Sequence, residues 1–238
     1  MHIVDFGLGI MGTNGIVGGG IPIAVGSAWA DSQLGRDTVT VCFFGDGAAN
    51  QGVFLEGMNL AAIWRLPVVF VCENNQYTEW TATAKLTAGR IADRGVPLGV
   101  PGVQIDGNDA LVVHEVAAQA VQRARAGEGP TVIETMTYRW HGHNEGEEAF
   151  SGQYRPEDEI ADWRSRDPIP RLRDRLLESG AASEDELDAV DVEETERIED
   201  ALAFAEQSPE PDPEEALADL FPGDLLVGPA AEGGGRSV

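Results

Sequence analysis

The sequence predicts an α/β protein with a parallel sheet flanked by helices, and three observations carry that prediction. Thr38–Phe44 and Leu66–Cys72 are continuous apolar, β-branched runs, the pattern of strands buried on both faces. Between them Ala49–Trp64 has the composition and length of a helix, and strand, helix and strand in that order join parallel strands by a right-handed crossover. The alternation then continues through a short strand at Gly102–Ile105, a helix over Asp109–Ala126 ended by Gly127, and a strand at Pro130–Tyr138.

The flanking segments follow from local chemistry. The first thirty residues are glycine-rich, too rich at their start for helix or strand. From Ile21 the pattern becomes a helix of small residues with Pro22 in its first turn, suited to close approach to another backbone. Residues 141–156 are polar and form a loop ending at Pro156. Helices follow at Glu157–Arg166, at Ile169–Ser179 with Gly180 as its cap, and at Ser183–Gln207, where Ser183 and Glu186 form a capping box. The linker SPEPDPEE precedes a short helix at 214–220, and the tail is expected to be disordered. The expected organisation is an α/β domain over 1–156, a helical extension over 157–222 and a disordered tail over 223–238.

Composition excludes several functions. The chain has 238 residues, 41 acidic against 16 basic, and a net charge of −25, so its field repels nucleic acid phosphates. Lys85 is its one lysine. No apolar run is long enough to span a membrane and no basic-then-apolar leader opens the sequence, so a cytoplasmic location is expected. Cys42 and Cys72 sit inside apolar runs, read as buried thiols rather than a disulfide or a metal site.

The chemistry concentrates in one stretch. Gly45-Asp46-Gly47 closes the first buried strand, and after twenty-six intervening residues Asn74-Asn75 closes the second. Gly47 allows a sharp turn, and the amides of Ala48 and its neighbours then face an anion at a helix start. The Asp46 carboxylate and the Asn75 amide oxygen end neighbouring parallel strands. With a backbone carbonyl they are hard ligands suited to magnesium or calcium beside phosphate. The Gly-rich start does not read as a dinucleotide fingerprint, because no strand precedes it and no acidic residue follows at the required distance.

These motifs resemble a known family. GDG-x26-NN is similar to the thiamine diphosphate signature, and GDGAANQGVFLEGMNLAA, ENNQY, NGIVGGGIPIAVG and TYRWHGHN resemble the alpha subunit of the decarboxylating component of 2-oxo acid dehydrogenase complexes, of pyruvate, branched-chain 2-oxo acid or acetoin type. The resemblance runs in order through residues 1–222. It implies the thiamine-diphosphate-binding fold, with thiamine diphosphate and Mg2+ as cofactors. Asp46 and Asn75 would bind the metal by side chain and Tyr77 by its carbonyl. Gly47, Ala48 and Arg139 would meet the diphosphate, and Gly15 and Val17 the aminopyrimidine. His143 would lie by the diphosphate and handle a proton or orient substrate; neutral pH suits imidazole for this. His141 is read as an ordinary loop residue.

The implied activity is oxidative decarboxylation of a small 2-oxo acid, pyruvate-like, with acyl transfer to a lipoyl group on a partner acyltransferase. No candidate appears for the glutamate that activates the aminopyrimidine, which in two-subunit relatives comes from the beta chain. An alpha–beta heterotetramer is therefore expected, with no turnover by this chain alone. Three departures qualify the resemblance. The chain starts well inside the family pattern, without the segment that carries a Tyr-Arg pair on the diphosphate and a substrate-facing His. Asn144 stands where regulated relatives carry a phosphorylatable Ser. The stretch EGEEAFSGQ is more acidic than the family's loop. Two alternatives remain open: another thiamine-dependent carboligase or transketolase-like subunit, and a truncated interaction-only remnant.

Overall fold

The computed structural model describes residues 2–13, 15–144, 146, 154–213 and 215. Its core is a four-stranded sheet of β1 (Thr40–Gly45), β2 (Val68–Asn74), β5 (Gly102–Asp106) and β6 (Thr131–Met136), in the order β1-β2-β6-β5. All neighbours are parallel, with Gly45 opposite Glu73 and Asn74 opposite Met136. A two-stranded hairpin, β3 (Tyr77–Thr78) with β4 (Thr81–Ala82), follows β2 directly.

Helices α1 (Gly20–Gln33) and α2 (Gly52–Ile63) cover one face. Ile21, Val25, Phe54 and Met58 on them pack against Cys42, Phe44, Phe70 and Cys72 of the sheet. Phe54 meets Phe44 at 4.8 Å and Phe70 edge-on at 6.0 Å. Helix α3 (Ala110–Arg125) covers the other face, where Ala120 packs with Val69 and Ile133. Its N-cap is Asp109, whose carboxylate accepts from the amides of Leu111 and Val112.

Two expectations are corrected here. The first strand is not buried on both faces. Cys42 and Phe44 are buried, but Val41 and Phe43 are exposed, Phe43 at 66 %. The reason is placement: β1 is an edge strand, and α3 lies across β2, β5 and β6 but not across β1. Nor does a single helix run from Ala49. A 3-10 turn, Ala48–Asn50, follows β1; Gln51 is then extended at ψ 139°, and α2 begins only at Gly52. Gln51 thereby gives α2 a non-helical N-cap position and separates its positive end from Gly47 by about one turn.

Two further helices, α4 (Glu157–Arg164) and α5 (Pro168–Ser179), belong with the sheet in one compact unit that reaches Ser179. Trp163 of α4 stacks on Tyr138 at 5.5 Å. Arg171 of α5 reaches Asp106 at 2.6 Å and Asp109 at 2.7 Å, and Arg175 reaches Asp109 at 2.9 Å. Burial pushes the Asp109 carboxyl up, but the Val112 amide and the two guanidiniums prevail and hold it below its ordinary value. A second unit begins at Gly180 and contains α6 (Glu184–Gln207). Its N-terminus carries the expected capping box, Ser183 with Glu186. Most of the helix expected at 214–220, the tail from 223 and most of the acidic stretch 145–153 lie outside the described residues. No described helix is long and apolar enough to cross a membrane.

Candidate functional site

The carboxyl ends of β1 and β2 converge on Asp46, which is 2 % exposed. Its Oδ2 accepts from the Thr83 hydroxyl, and Thr78 Oγ1 lies 3.5 Å from the same oxygen. Those threonines sit at either end of the β3–β4 hairpin, so the segment after Asn74-Asn75 folds back onto Asp46. Local chemistry explains the fold-back. Asn74 and Asn75 each make an Asx turn, their side-chain oxygens accepting from the amides of Gln76 and Tyr77 at 3.1 Å. Gln76 and Glu79 are left-handed, at φ 72° and 52°, and the Thr83 amide closes the loop onto the Gln76 carbonyl at 2.8 Å. Gly47 is required here: a Cβ at that position would stand 2.8 Å from Thr78 Cγ2.

One buried carboxyl group supports this edge from beneath. Glu134 of β6 is 1 % exposed. It accepts from Asn74 Nδ2 at 2.8 Å and from the Ala92 amide at 3.0 Å. Burial and the neighbouring Glu134 and Asp46 carboxylates push the Cys72 thiol well above its ordinary range, and burial pushes Cys42 up to about 11. Both thiols therefore stay protonated and unreactive at neutral pH.

The segment after β6 lies over the hairpin. Arg139 donates to the Glu79 carbonyl at 2.6 Å and to the Tyr154 hydroxyl at 2.8 Å, and its Nη1 stands 3.2 Å from His143 Nδ1. A guanidinium can only donate, so Nδ1 accepts and the neutral ring carries its proton on Nε2. Arg139 Nε is buried with no acceptor among the described residues. His141 and His143 are exposed.

Arg155 was not anticipated from the sequence. It is 6 % exposed and lies over the rings of Tyr77, Tyr138 and Tyr154 at 5.3–5.9 Å. It donates to the carbonyls of Arg139, Trp140 and His141 in succession. One cation thus fixes the backbone on which His143 is carried. Arg155→Ala is expected to lower stability by about 2–4 kcal/mol, since it removes several charge-assisted hydrogen bonds from a buried position. Urea unfolding measures this, and a loss under about 0.5 kcal/mol, typical of a surface substitution, would refute the role.

The sequence-predicted residues therefore fall into groups. Asp46, Gly47, Asn75 and Tyr77 are brought together by the hairpin, with buried Ala48 beside them. Arg139 and His143 join from above through Glu79. Gly15 and Val17 are exposed, and their loop reaches the start of α2 at Gly18, where a Cβ would lie 3.2 Å from Gln51 and Val53. Among the described residues no cluster of three His, Cys, Asp or Glu side chains could hold a metal. A cation here would rely on amide and carbonyl oxygens beside Asp46. Of the residues missed by sequence reasoning, Glu134 had a signal, a lone acid inside the apolar run TVIETM.

Comparison with known proteins identifies the family to which the chain is similar. A 43–45 % identity over 223 residues relates the chain to the alpha subunits of acetoin:2,6-dichlorophenolindophenol oxidoreductase from Bacillus subtilis and Cupriavidus necator, covering 93 % of this chain and 66 % of each relative. The alpha subunit of the pyruvate dehydrogenase E1 component from Rhizobium meliloti is 40 % identical over 93 % of this chain and 63 % of its own length. The chain thus spans somewhat less than two-thirds of these relatives. The family described as "Dehydrogenase E1 component" matches residues 1–214. On that match, the chain is a member of the dehydrogenase E1 component family.

Proposed function

We propose that the chain acts as the alpha subunit of a thiamine-diphosphate-dependent decarboxylating component of a 2-oxo acid dehydrogenase complex. The observation that carries this reading is the buried Asp46 at the end of β1, tied by Thr78 and Thr83 to the turn that follows Asn74-Asn75. The residues fit the cofactor. Asp46, the Asn75 side-chain oxygen and the Tyr77 carbonyl form a hard-oxygen set that would hold Mg2+. Gly47 lets Thr78 pack directly against the turn after Asp46, and Gly47 and Ala48 are the backbone groups proposed for the diphosphate. Gly15 and Val17, on an exposed glycine-rich loop, are the backbone groups proposed for the aminopyrimidine.

When bound, thiamine diphosphate would supply the electron sink for loss of carbon dioxide. This chain's own groups orient and protonate. Arg139 orients the His143 ring through Nδ1, and the imidazole is the group proposed to handle a proton or orient substrate. The acyl unit would pass to a lipoyl group on a partner acyltransferase, and a beta subunit would complete the site in a cytoplasmic heterotetramer. The substrate is a small 2-oxo acid, pyruvate-like. Acetoin stands as the second reading, because the two acetoin-type relatives reach 45 % and 43 % identity against 40 % for the Rhizobium pyruvate dehydrogenase subunit.

The test is calorimetric titration of thiamine diphosphate with Mg2+ into this chain, alone and mixed with a beta subunit from the same organism. Tight binding that emerges only with the partner is expected. Absence of binding in both states would leave a family member without the activity.

A further inference from the structure

The turn that follows Gly47 is held by a residue that no motif names. Arg94 lies in the 3-10 segment Ala92–Leu98 and is half-buried. Its Nη1 donates to the Ala49 carbonyl, and its Nη2 donates to Asn50 Oδ1 at 2.7 Å. Asn50 in turn donates through Nδ2 to Thr87 Oγ1 at 2.9 Å. The guanidinium fork therefore grips a backbone oxygen and a side-chain oxygen of the same three-residue turn. Within that turn the amides of Asn50 and Gln51 reach back to the carbonyls of Gly47 and Ala48.

The other end of this clamp is equally fixed. The Ala92 amide, two residues before Arg94, donates to Glu134, whose second oxygen accepts from Asn74. A single short segment thus joins both halves of the site. Through Glu134 it touches the strand end that presents Asn75, and through Arg94 it touches the turn that follows Asp46. Glu134 and Asn74 are buried, so the link has little freedom to slip.

We propose that Arg94 is a positioning residue for diphosphate recognition, holding the Ala48–Asn50 turn in register with the Asn74-Asn75 strand end. The proposal rests on the thiamine diphosphate reading above. A fork onto two oxygens of one turn sets the orientation of the turn as well as its distance, which a single ammonium cannot do.

The test uses the chain assembled with its beta subunit and follows Arg94→Gln, Arg94→Lys and Asn50→Ala. Affinity for thiamine diphosphate and for inorganic diphosphate, each with Mg2+, is measured by calorimetry, and thermal melting of the ligand-free assembly is recorded alongside. Arg94→Gln is expected to weaken both ligands at least tenfold while the ligand-free melting temperature moves little. Arg94→Lys should recover part of the loss, and Asn50→Ala, which keeps the grip on Ala49, should show a smaller loss. If Arg94→Gln binds within twofold of the parent, the proposal is overturned and the function stands. It is also overturned if Arg94→Gln collapses the ligand-free fold while Asn50→Ala binds like the parent, since Arg94 would then be only structural. If the parent assembly binds no thiamine diphosphate, the functional reading fails and the proposal falls with it.

Discussion

Asp46→Ala is expected to abolish Mg2+-dependent binding of thiamine diphosphate while leaving the metal-free fold intact. Asp46 is the one charged member of the proposed oxygen set, and it is buried at the sheet edge. Among the described residues, its hydrogen-bond partners are two threonine hydroxyls on one oxygen. Changes to groups that merely support a metal ligand cost about 10–100-fold in affinity, so loss of the charged ligand itself should exceed the upper end of that range. Asp46→Asn separates charge from shape, because it keeps an oxygen in place, and it should bind almost as poorly. Stability should respond differently. A buried carboxylate held by hydroxyls alone contributes little to folding, and its removal should shift the metal-free stability by no more than about 1 kcal/mol. Affinity within a few-fold of the parent in both variants would refute the site.

Gly102→Ala is expected to have the largest effect on folding. Gly102 opens β5 where the Ala92 segment crosses it, and a Cβ there would stand 1.8 Å from the Ala92 carbonyl oxygen. The obstacle is backbone and cannot rotate away. Ala92 is itself anchored to Glu134, so relief must come from parting β5 from the segment that supports the site. A cost of about 4 kcal/mol or more follows, against a total of about 5–15 kcal/mol for a domain. Gly26→Ala is the matched control. Gly26 lies inside α1 and a Cβ there meets nothing within 4 Å, so it should stabilise the chain by about 0.5–1 kcal/mol. Thermal or urea unfolding of the two variants should give changes of opposite sign, and a Gly102→Ala variant as stable as the parent would contradict the close approach.

The readable part of this protein was the part whose determinants are local. The runs at Thr38–Phe44 and Leu66–Cys72 predict paired parallel strands, and β1 and β2 are such a pair. The Ser183–Glu186 box marks the start of α6 because its two hydrogen bonds span three residues. Asp46 and Asn75 could be proposed from sequence because each lies at or just past a strand end, where a parallel sheet gathers its chemistry, whereas Tyr77 was proposed from the family resemblance alone. What escaped depends on long separations. Arg94 meets Asn50 across 44 residues, Ala92 meets Glu134 across 42, and Arg139 meets Glu79 across 60. Nothing in a window of sequence announces such pairs. The break at Gln51 was missed for another reason: Ala48–Asn50 has helical composition, and the contacts that hold it as a separate turn include Arg94 and Thr87 from distant sequence. Exposure of Phe43 was likewise invisible, since composition cannot say which strand will be outermost.

The position of Lys85 carries a practical consequence. It ends the short 3-10 turn Thr83–Lys85, is exposed, and stands two residues from the threonine that donates to Asp46. As the one lysine among 238 residues, it is a single amine handle beside the site, apart from the chain's terminal amine. An amine-reactive fluorophore would label this face without engineering, and its emission would report ordering of the hairpin when metal or cofactor is added.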